Sequence, residues 1–520
     1  MRRPSLSMIR FSLLFAALLA LVEPAGAQDA PLAITLDEAI QIALERNYTI
    51  RSAELDVETA NAQISEAYGS LFPQVDLTSS YTRNLVSANP FAGTDVASIF
   101  GGASTDWLEF NENARVDADP DTMPITLQEF LDRQEAGQAA AGIETSFSDN
   151  PFAVPNVFQN GISLSQTLYS GSAFAAVKGA RGLREINEAA LEQRRDEIIH
   201  QTRQLFYGAL LAQEQVNVLE ASVARTRETV EETSLLVAQG VAPMLQRLQT
   251  EVQLANQETQ LIQSRTAAGG ARDQLLFILG LPVDRPIMLR GVLEVPADEA
   301  PYRTVGLVNA VATALDERPD IEQARLAIEL QEVNWNITRS AYLPNVSAFA
   351  NYGFNGNVPD NRTVITQSGD FEYEASNNSF FDGSYWDPSL SVGIRLNWTI
   401  FDGFQTRRRV QQNTIAIEQA EIQHQQVQEA AKLDVAQTLR EMEGAEQRVN
   451  AQQQNVATAN LAFDFAFERL RNGVGTQLDV RQASDNLDQS RLLQLQAIHD
   501  YLVARSDIER ATGTISAVAN

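Results

Sequence analysis

The 520-residue sequence has no cysteine and only three histidines. Without cysteine there are no disulfides, thiol nucleophiles or thiolate zinc sites, and no lipid anchor on an N-terminal cysteine. The histidines, His200, His424 and His499, stand singly among polar residues, which argues against a histidine metal centre. No metal site and no cofactor are therefore expected.

Positive charge is also scarce. The chain has 39 basic and 67 acidic residues, giving a net charge of −28 at pH 7. Such a charge repels phosphate groups, so neither nucleic acid nor an anionic membrane surface is an expected partner. The sequence also lacks a paired nucleophile and base and a glycine-rich phosphate loop, so an enzyme is not expected.

Long apolar runs are missing, with one exception at the start. Three arginines precede the apolar run 11–22, and small residues ending at Ala27 follow it. This pattern predicts a signal peptide over residues 1–27, cut before Gln28. The run is too short to span a bilayer as a helix, and no later stretch reaches that length. We therefore predict export without a transmembrane helix.

The sequence does contain an internal duplication. Residues 43–50 match 314–321, and residues 169–171 match 401–403. The distance between matching segments shortens along the chain, which indicates an insertion in the first half before Phe158. Such self-similarity indicates two copies of one structural plan. The predicted boundaries are 28–304 for the first repeat, 305–513 for the second and 514–520 for a C-terminal tail.

Each repeat contains two segments that alternate apolar and polar residues. In the last of them the alternation runs from Leu390 to Ile400, and Trp386 and Trp398 lie near its two ends. Period two over about ten residues predicts a strand that spans a bilayer when tilted, and aromatic ends are typical of the membrane interface. A half-buried strand of a soluble sheet alternates in the same way, but four such strands leading into very long helices favour the membrane. The predicted strands are about 72–82, 159–169, 344–354 and 389–401.

The helical segments are the most informative part of the sequence. Residues 172–239 contain no proline, and as a helix they would reach roughly 100 Å at about 1.5 Å per residue. Small and apolar residues recur every seven positions in two sets spaced three and four apart, such as Ile198 and Leu205 with Thr202 and Ala209. This spacing predicts the seam of a left-handed coiled coil. A structural coiled coil without a channel has the same periodicity.

Each long helix is predicted to end at a glycine turn, the first at 240–243 and the second at 473–476. Glycine ends one helix, and Pro243 or Thr476 starts a shorter return helix, so each repeat forms an αα-hairpin. Shorter helical stretches at about 36–70 and 305–341 precede the strands. The predicted long helices are about 171–239 and 403–472, and the return helices are about 243–280 and 476–513.

Four transmembrane strands cannot close a barrel, because barrels need at least eight strands and an open edge in lipid is prohibitive. Several chains must therefore share one barrel, two chains giving eight strands and three giving twelve. A polar strand face, continued by supercoiled helices, would line a conduit. The predicted fold class is mainly α with transmembrane β, in an internally duplicated chain.

Four motifs occur in order along the duplicated chain: residues 314–321, Ala341-Tyr342-Leu343-Pro344, residues 398–403 and residues 473–480. With them the sequence resembles the TolC-like outer-membrane efflux proteins over nearly all of its mature length. The resemblance implies a homotrimer with one twelve-stranded barrel and a long periplasmic α-barrel, in the outer membrane of a Gram-negative bacterium. It also implies a role as exit duct of a tripartite efflux or type I secretion system, with a periplasmic adaptor protein and an inner-membrane pump as partners.

The resemblance also implies where functional residues lie. The glycine turns become the adaptor-docking tips, comprising Gly240, Val241, Ala242, Gly473, Val474, Gly475 and Thr476. Carboxylates after the second turn narrow the periplasmic entrance in the family. Here the matching residue is Asp479, with Gln482 in place of a second acid and Gln246 in the first hairpin. Thr476 and Asp479 also fit a capping box, a role that is compatible with a gate.

Two features depart from the family pattern. No cysteine follows the signal peptide, which excludes the lipid-anchored branch. The first extracellular loop, about 83–157, is unusually long and is interpreted as a partial lid or as a solvated insertion. A periplasmic adaptor and a trimeric coiled-coil adhesin are the competing hypotheses. An adaptor should carry one hairpin only, and an adhesin should carry its strands at the C-terminus.

Overall fold

The computed structural model describes residues 32–86, 102–117, 122–142, 154–296, 306–472 and 474–516. The predicted signal peptide and Gly473 lie outside these ranges. The chain divides into two units. The helical unit comprises the residues up to Ser65, Ala176–Asn336 and the residues from Arg407 onward, and the sheet unit comprises Glu66–Ala175 and Ile337–Thr406.

Helices and strands alternate in the order expected of a duplicated plan. The helices are α1 Leu36–Arg46, α2 Tyr48–Gly69, α3 Gly102–Val116, α4 Leu127–Ala140, α5 Gly171–Ala238, α6 Met244–Ile278, α7 Leu307–Glu317, α8 Pro319–Arg339, α9 Gln405–Arg471 and α10 Gln477–Thr512. The strands are β1 Leu32–Ile34, β2 Gln74–Arg83, β3 Asn156–Tyr169, β4 Ile287–Leu289, β5 Asn345–Val358, β6 Thr363–Gln367, β7 Tyr373–Asn377 and β8 Trp386–Asn397. No helix within the described ranges has both the length and the apolar character needed to cross a membrane.

The four hairpin helices, α5, α6, α9 and α10, begin and end within two residues of their predicted bounds. The predicted seam of α5 is the buried side of the helix, with Ile198, Thr202 and Ala209 at most 5% exposed. Ile198 and Ala209 belong to the hydrophobic core of the helical unit, where Phe206 of α5 and Leu275 of α6 are fully enclosed. Burial of one seam, with charged residues outside it, is what fixes helices of this length side by side.

Each predicted short helical stretch is two helices rather than one. Asn47 leaves the helical region at ψ 129°, and its side chain donates to the carbonyl of Ile278 at 2.9 Å while accepting from the N–H of Thr49 at 2.8 Å. In the second repeat the break falls at Arg318, where ψ is 124°. A residue before proline is pushed out of the α region, so Pro319 ends α7 and starts α8.

The sheet unit is built on one antiparallel sheet in the order β2-β3-β5-β8. The strand register places apolar residues opposite one another on one face and polar residues on the other. One row across the apolar face is Leu77, Ile162, Tyr352 and Leu390, and the neighbouring row across the polar face is Asp76, Ser163, Asn351 and Ser391. The apolar face is open, and both Leu77 and Val392 are 74% exposed.

The β2–β3 connection and the β5–β8 connection leave the same end of this sheet. Arg83 pairs with Asn156, and Asn156 pairs with Val358, so the β2–β3 and β5–β8 connections start side by side. The first connection, predicted as a loop at 83–157, contains α3 and α4, and the second contains the β6–β7 hairpin. The sequence does not predict α3 and α4, because their apolar residues are too few among many acidic ones to show a helical period.

Candidate functional site: the two hairpin tips

The first hairpin tip joins α5 to α6 through a left-handed glycine. Gly240 has φ +73°, and its N–H bonds the carbonyl of Val237 at 3.0 Å. The N–H groups of Val241 and Ala242 bond the carbonyl of Leu236 at 2.9 and 3.2 Å. These bonds satisfy the last carbonyls of α5 and let the chain reverse. Val241 is left 71% exposed at the end of the turn.

The second hairpin tip joins α9 to α10 through a glycine packed against its own helix. Val474 and Gly475 both donate their N–H groups to the carbonyl of Arg469, at 3.0 and 2.9 Å. A Cβ at Gly475 would lie 2.9 Å from the backbone nitrogen of Leu470, so only glycine fits this approach without a backbone shift. Val474 is exposed like its counterpart in the first tip. Gly473, also predicted as part of this tip, lies outside the described residues.

A capping box starts α10 directly after the second turn, as the sequence predicts. The Asp479 N–H donates to Thr476 Oγ1 at 3.2 Å, and the Thr476 N–H donates to Asp479 Oδ2 at 3.0 Å. The bond from the Thr476 backbone, followed by the bond with its side chain, holds the pKa of Asp479 below its usual range. Helix α6 lacks this device, because Pro243 at its N-cap makes no side-chain bond.

Gln477 joins the second tip to both helices of the first hairpin. Its side-chain nitrogen donates to the hydroxyl of Thr233 on α5 at 3.2 Å and to the hydroxyl of Thr250 on α6. Both threonines are buried. Thr233 lies on the predicted seam of α5, but no local pattern marks Gln477 as its partner, so sequence reasoning missed this contact.

A cavity of about 260 Å³ lies between the starts of α6 and α10. Six of its lining residues are Leu245, Gln246 and Gln249 from α6, and Thr476, Leu478 and Arg481 from α10. Its walls therefore mix apolar and polar groups from both hairpins. Gln246, predicted as an entrance residue, and Thr476, predicted as a tip residue, share this one cavity.

A buried ion pair joins the same two hairpins farther from the tips. The Arg225 guanidinium on α5 contacts the Asp488 carboxylate on α10, whose second oxygen accepts from the Ser222 hydroxyl at 2.5 Å. Gln257 of α6 donates to the same hydroxyl at 3.1 Å. The side chains of Arg225 and Asp488 are only 22% and 11% exposed. Three helices are thus tied by one polar network, which the sequence did not reveal.

The three predicted aperture residues occupy different surroundings. Gln246 lines the cavity, Asp479 is exposed in the capping box, and Gln482 is exposed on the next turn of α10. No hydrogen bond joins these three described residues to one another. Within one chain, Asp479 acts as a helix cap.

One of the three histidines, His200, has a structural role. His200 is buried, with Nδ1 at 3.0 Å from Ser506 Oγ and Nε2 at 3.2 Å from an Asp507 oxygen. Burial is the main cause that lowers its pKa to about 4, so the ring is neutral at pH 7. Among the residues that the structure describes, no group of three or more histidine, aspartate or glutamate side chains is arranged to hold a metal ion.

Comparison with known proteins agrees with this architecture. The model of the outer membrane efflux protein family matches residues 136–281 and 310–514. The outer membrane efflux protein BepC of Brucella suis is 26% identical over 222 residues, which span 43% of this chain and 44% of BepC. The alkaline protease secretion protein AprF of Pseudomonas aeruginosa is 21% identical over 68% of this chain and 69% of AprF. The CmeC outer membrane channel of Campylobacter jejuni superposes with a TM-score of 0.67 at 16% identity, over 92% of this chain and 85% of CmeC.

Two long helical hairpins and one four-stranded antiparallel sheet thus form a fold similar to that of the CmeC outer membrane channel. The chain belongs to the outer membrane efflux protein family.

Proposed function

We propose that the chain is one subunit of a homotrimeric exit duct in the outer membrane. The duct passively conducts substrates delivered by an inner-membrane pump and a periplasmic adaptor protein. The main observation behind this proposal is the four-stranded sheet in the order β2-β3-β5-β8. Its apolar face is open, its opposite face is polar, and β2 and β8 are left as edges.

Three copies of this sheet would form one barrel of twelve strands. An unpaired strand edge is prohibitive in lipid, so the β2 edge of one copy must pair with the β8 edge of the next. The apolar face, with Leu77 and Val392, would then meet lipid, and the row containing Asp76 and Ser391 would line the lumen.

The two hairpin tips are the proposed docking surface for the adaptor. Val241 and Val474 are exposed apolar residues at the ends of both turns, and the cavity between α6 and α10 opens beside them. Leu245 of α6 and Leu478 of α10 are also exposed next to these turns, and a group of exposed apolar side chains favours a protein partner. The relatives are named for efflux and for alkaline protease secretion, so either kind of cargo is compatible with this proposal.

Asp479 is the proposed gate residue at the periplasmic entrance. In a trimer one such carboxylate from each chain would form an acidic ring, and each charge would disfavour ionisation of its neighbours. The ring would attract divalent cations. Asp479→Asn should therefore lower cation selectivity and relieve divalent block of channels in planar bilayers. Unchanged selectivity and block would leave Asp479 as a cap only.

The exit-duct proposal is tested by reconstitution and by export. The purified chain should migrate as a heat-sensitive trimer on gels and form ion-conducting channels in planar bilayers. Val474→Arg should block export from cells while trimer and conductance remain, because it places a charge on the docking surface. Val308→Arg, a matched change at an exposed valine of α7 away from the tips, should export normally. A trimer without conductance would point to a structural or adhesin-type protein.

A further inference from the structure

Within the long insertion between β2 and β3, the described residues 102–117 and 122–142 form a small folded element. Helix α3 is joined to the segment just before α4 by two hydrogen bonds, in which the Asn111 side chain donates to the carbonyl of Ile125 at 2.9 Å and accepts from the Ile125 N–H at 2.8 Å. The Trp107 indole donates to the same carbonyl at 2.8 Å. Phe110 of α3 and Phe130 of α4 face each other with ring centres 5.7 Å apart, at 9% and 5% exposure. A solvated loop would leave these aromatic rings and polar side chains exposed to water, so their burial indicates a folded element.

A side chain from the second repeat completes this element. Phe371, in the turn between β6 and β7, places its ring centre 5.2 Å from that of Phe110 and 5.4 Å from that of Phe130. The Arg133 guanidinium lies over the same ring at 5.9 Å. On α4, Gly137 abuts the carbonyl oxygen of Phe371 so closely that any side chain there would collide with it. Phe371 is therefore inserted between α3 and α4, with α4 shaped to receive it.

A second contact ties the two connections at their base. Arg83, the last residue of β2, makes two bonds to Asp360, at 2.5 and 2.7 Å. The Asn156 side chain, at the start of β3, donates to Asp360 at 3.0 Å and to the carbonyl of Val358 at 2.9 Å. The insertion of the first repeat is thus held to the connection of the second repeat at two separate points.

We propose that α3, α4 and the β6–β7 hairpin form a cap that narrows the outer mouth of the duct, held shut by Phe371. This inference rests on the proposed function, which puts both connections at the mouth. A helix is about 10 Å across with its side chains. A barrel of twelve strands, with strands about 4.8 Å apart and tilted about 40°, is roughly 24 Å across. Three two-helix caps around such an opening are large enough to obstruct most of it.

The cap is tested by releasing Phe371 in two independent ways. Phe371→Ala removes the inserted ring, and Gly137→Leu keeps the ring but fills the space where α4 meets the turn. Both variants should raise single-channel conductance of the full trimer in planar bilayers. Leu108→Ala changes an exposed leucine of α3, two residues from Phe110, and should conduct like the wild type.

Trypsin cleavage after Arg133 measures docking separately from conduction. Cleavage follows the population of the undocked form, and weakening the two aromatic contacts of the partly buried Phe371 ring should speed it about tenfold or more in both variants. Faster cleavage with unchanged conductance would overturn the cap while leaving the docking intact. Unchanged cleavage would overturn the Phe371 contact itself. A wild-type trimer that forms no channels would instead refute the exit-duct proposal. The cleavage result does not depend on that proposal, so the two failures can be told apart.

Discussion

The two hairpin tips make the same reversal by different physical means. The first turn relies on backbone freedom, with Gly240 in the left-handed region and open space around it. The second relies on close packing at Gly475 and on side-chain bonds between Thr476 and Asp479. The two turns therefore share a chain reversal at matching positions, but different interactions stabilise each of them. The second tip is the more constrained one, and it also carries the residue that contacts the first hairpin.

The largest expected effect comes from the buried pair that joins the two hairpins. Arg225→Ala leaves the Asp488 carboxylate buried without its cation, which should cost about 3–5 kcal/mol of stability. Arg227→Ala is the matched control, because Arg227 pairs with Glu258 in an exposed bridge worth at most about 1 kcal/mol. Urea unfolding of the trimer, followed by circular dichroism, measures both. Equal effects of the two changes would show that the hairpins are held together elsewhere.

A smaller difference separates the two tip glycines. Gly475→Ala puts a Cβ against the backbone of Leu470 and should cost about 2 kcal/mol, as overpacking does. Gly240→Ala meets no neighbour, so its cost is the left-handed conformation alone, about 1 kcal/mol. Hydrogen exchange of the amides in each turn reports the two changes locally. A larger effect at Gly240 would reverse the comparison of the tips.

The smallest expected effect is loss of the cap. Thr476→Ala removes one bond of the capping box and should cost about 1 kcal/mol, while Pro243→Ala at the first tip loses no side-chain bond. The lowered pKa of Asp479 means that its contribution to stability is present above the ordinary carboxyl pKa and is lost as pH falls through the folded value. The amides at the start of α10 should therefore lose protection from exchange in acid in the wild type, and Asp479→Asn, which has no carboxylate to titrate, should not show this loss. Identical pH dependence of the wild type and Asp479→Asn would contradict this role for Asp479.

The sequence was sufficient to predict the parts of the fold that repeat regularly. Heptads running through Ile198 and Thr202 defined the long helices, and alternation through Leu390 defined a two-faced strand. It did not reveal the break at Asn47, which depends on a bond to the distant carbonyl of Ile278. It also missed β1 and β4, because three residues are too few for an alternating pattern.

The candidate site also has some features that the sequence predicts and others that it does not. The glycine turns and the capping box at Thr476 and Asp479 are local, so residue spacing predicts them. The contact of Gln477 with Thr233 joins two hairpins far apart in the chain, and the network at Asp488 does the same. Side-chain contacts at such separation leave no local signal. The assignments of the docking tips and of Asp479 as a gate stay predictions.

The short parallel pair of β1 and β4 has a consequence for the order of folding. Leu32, Ala33 and Ile34 stand at the start of the described chain, but their partners Ile287, Met288 and Leu289 lie at the far end of the first repeat, so the pair can form only when most of that repeat is present. A contact of such long range is slow to form, because a long loop must close first. The N-terminal strand must therefore wait unpaired. With only three residues it offers other chains little edge to pair with during that interval.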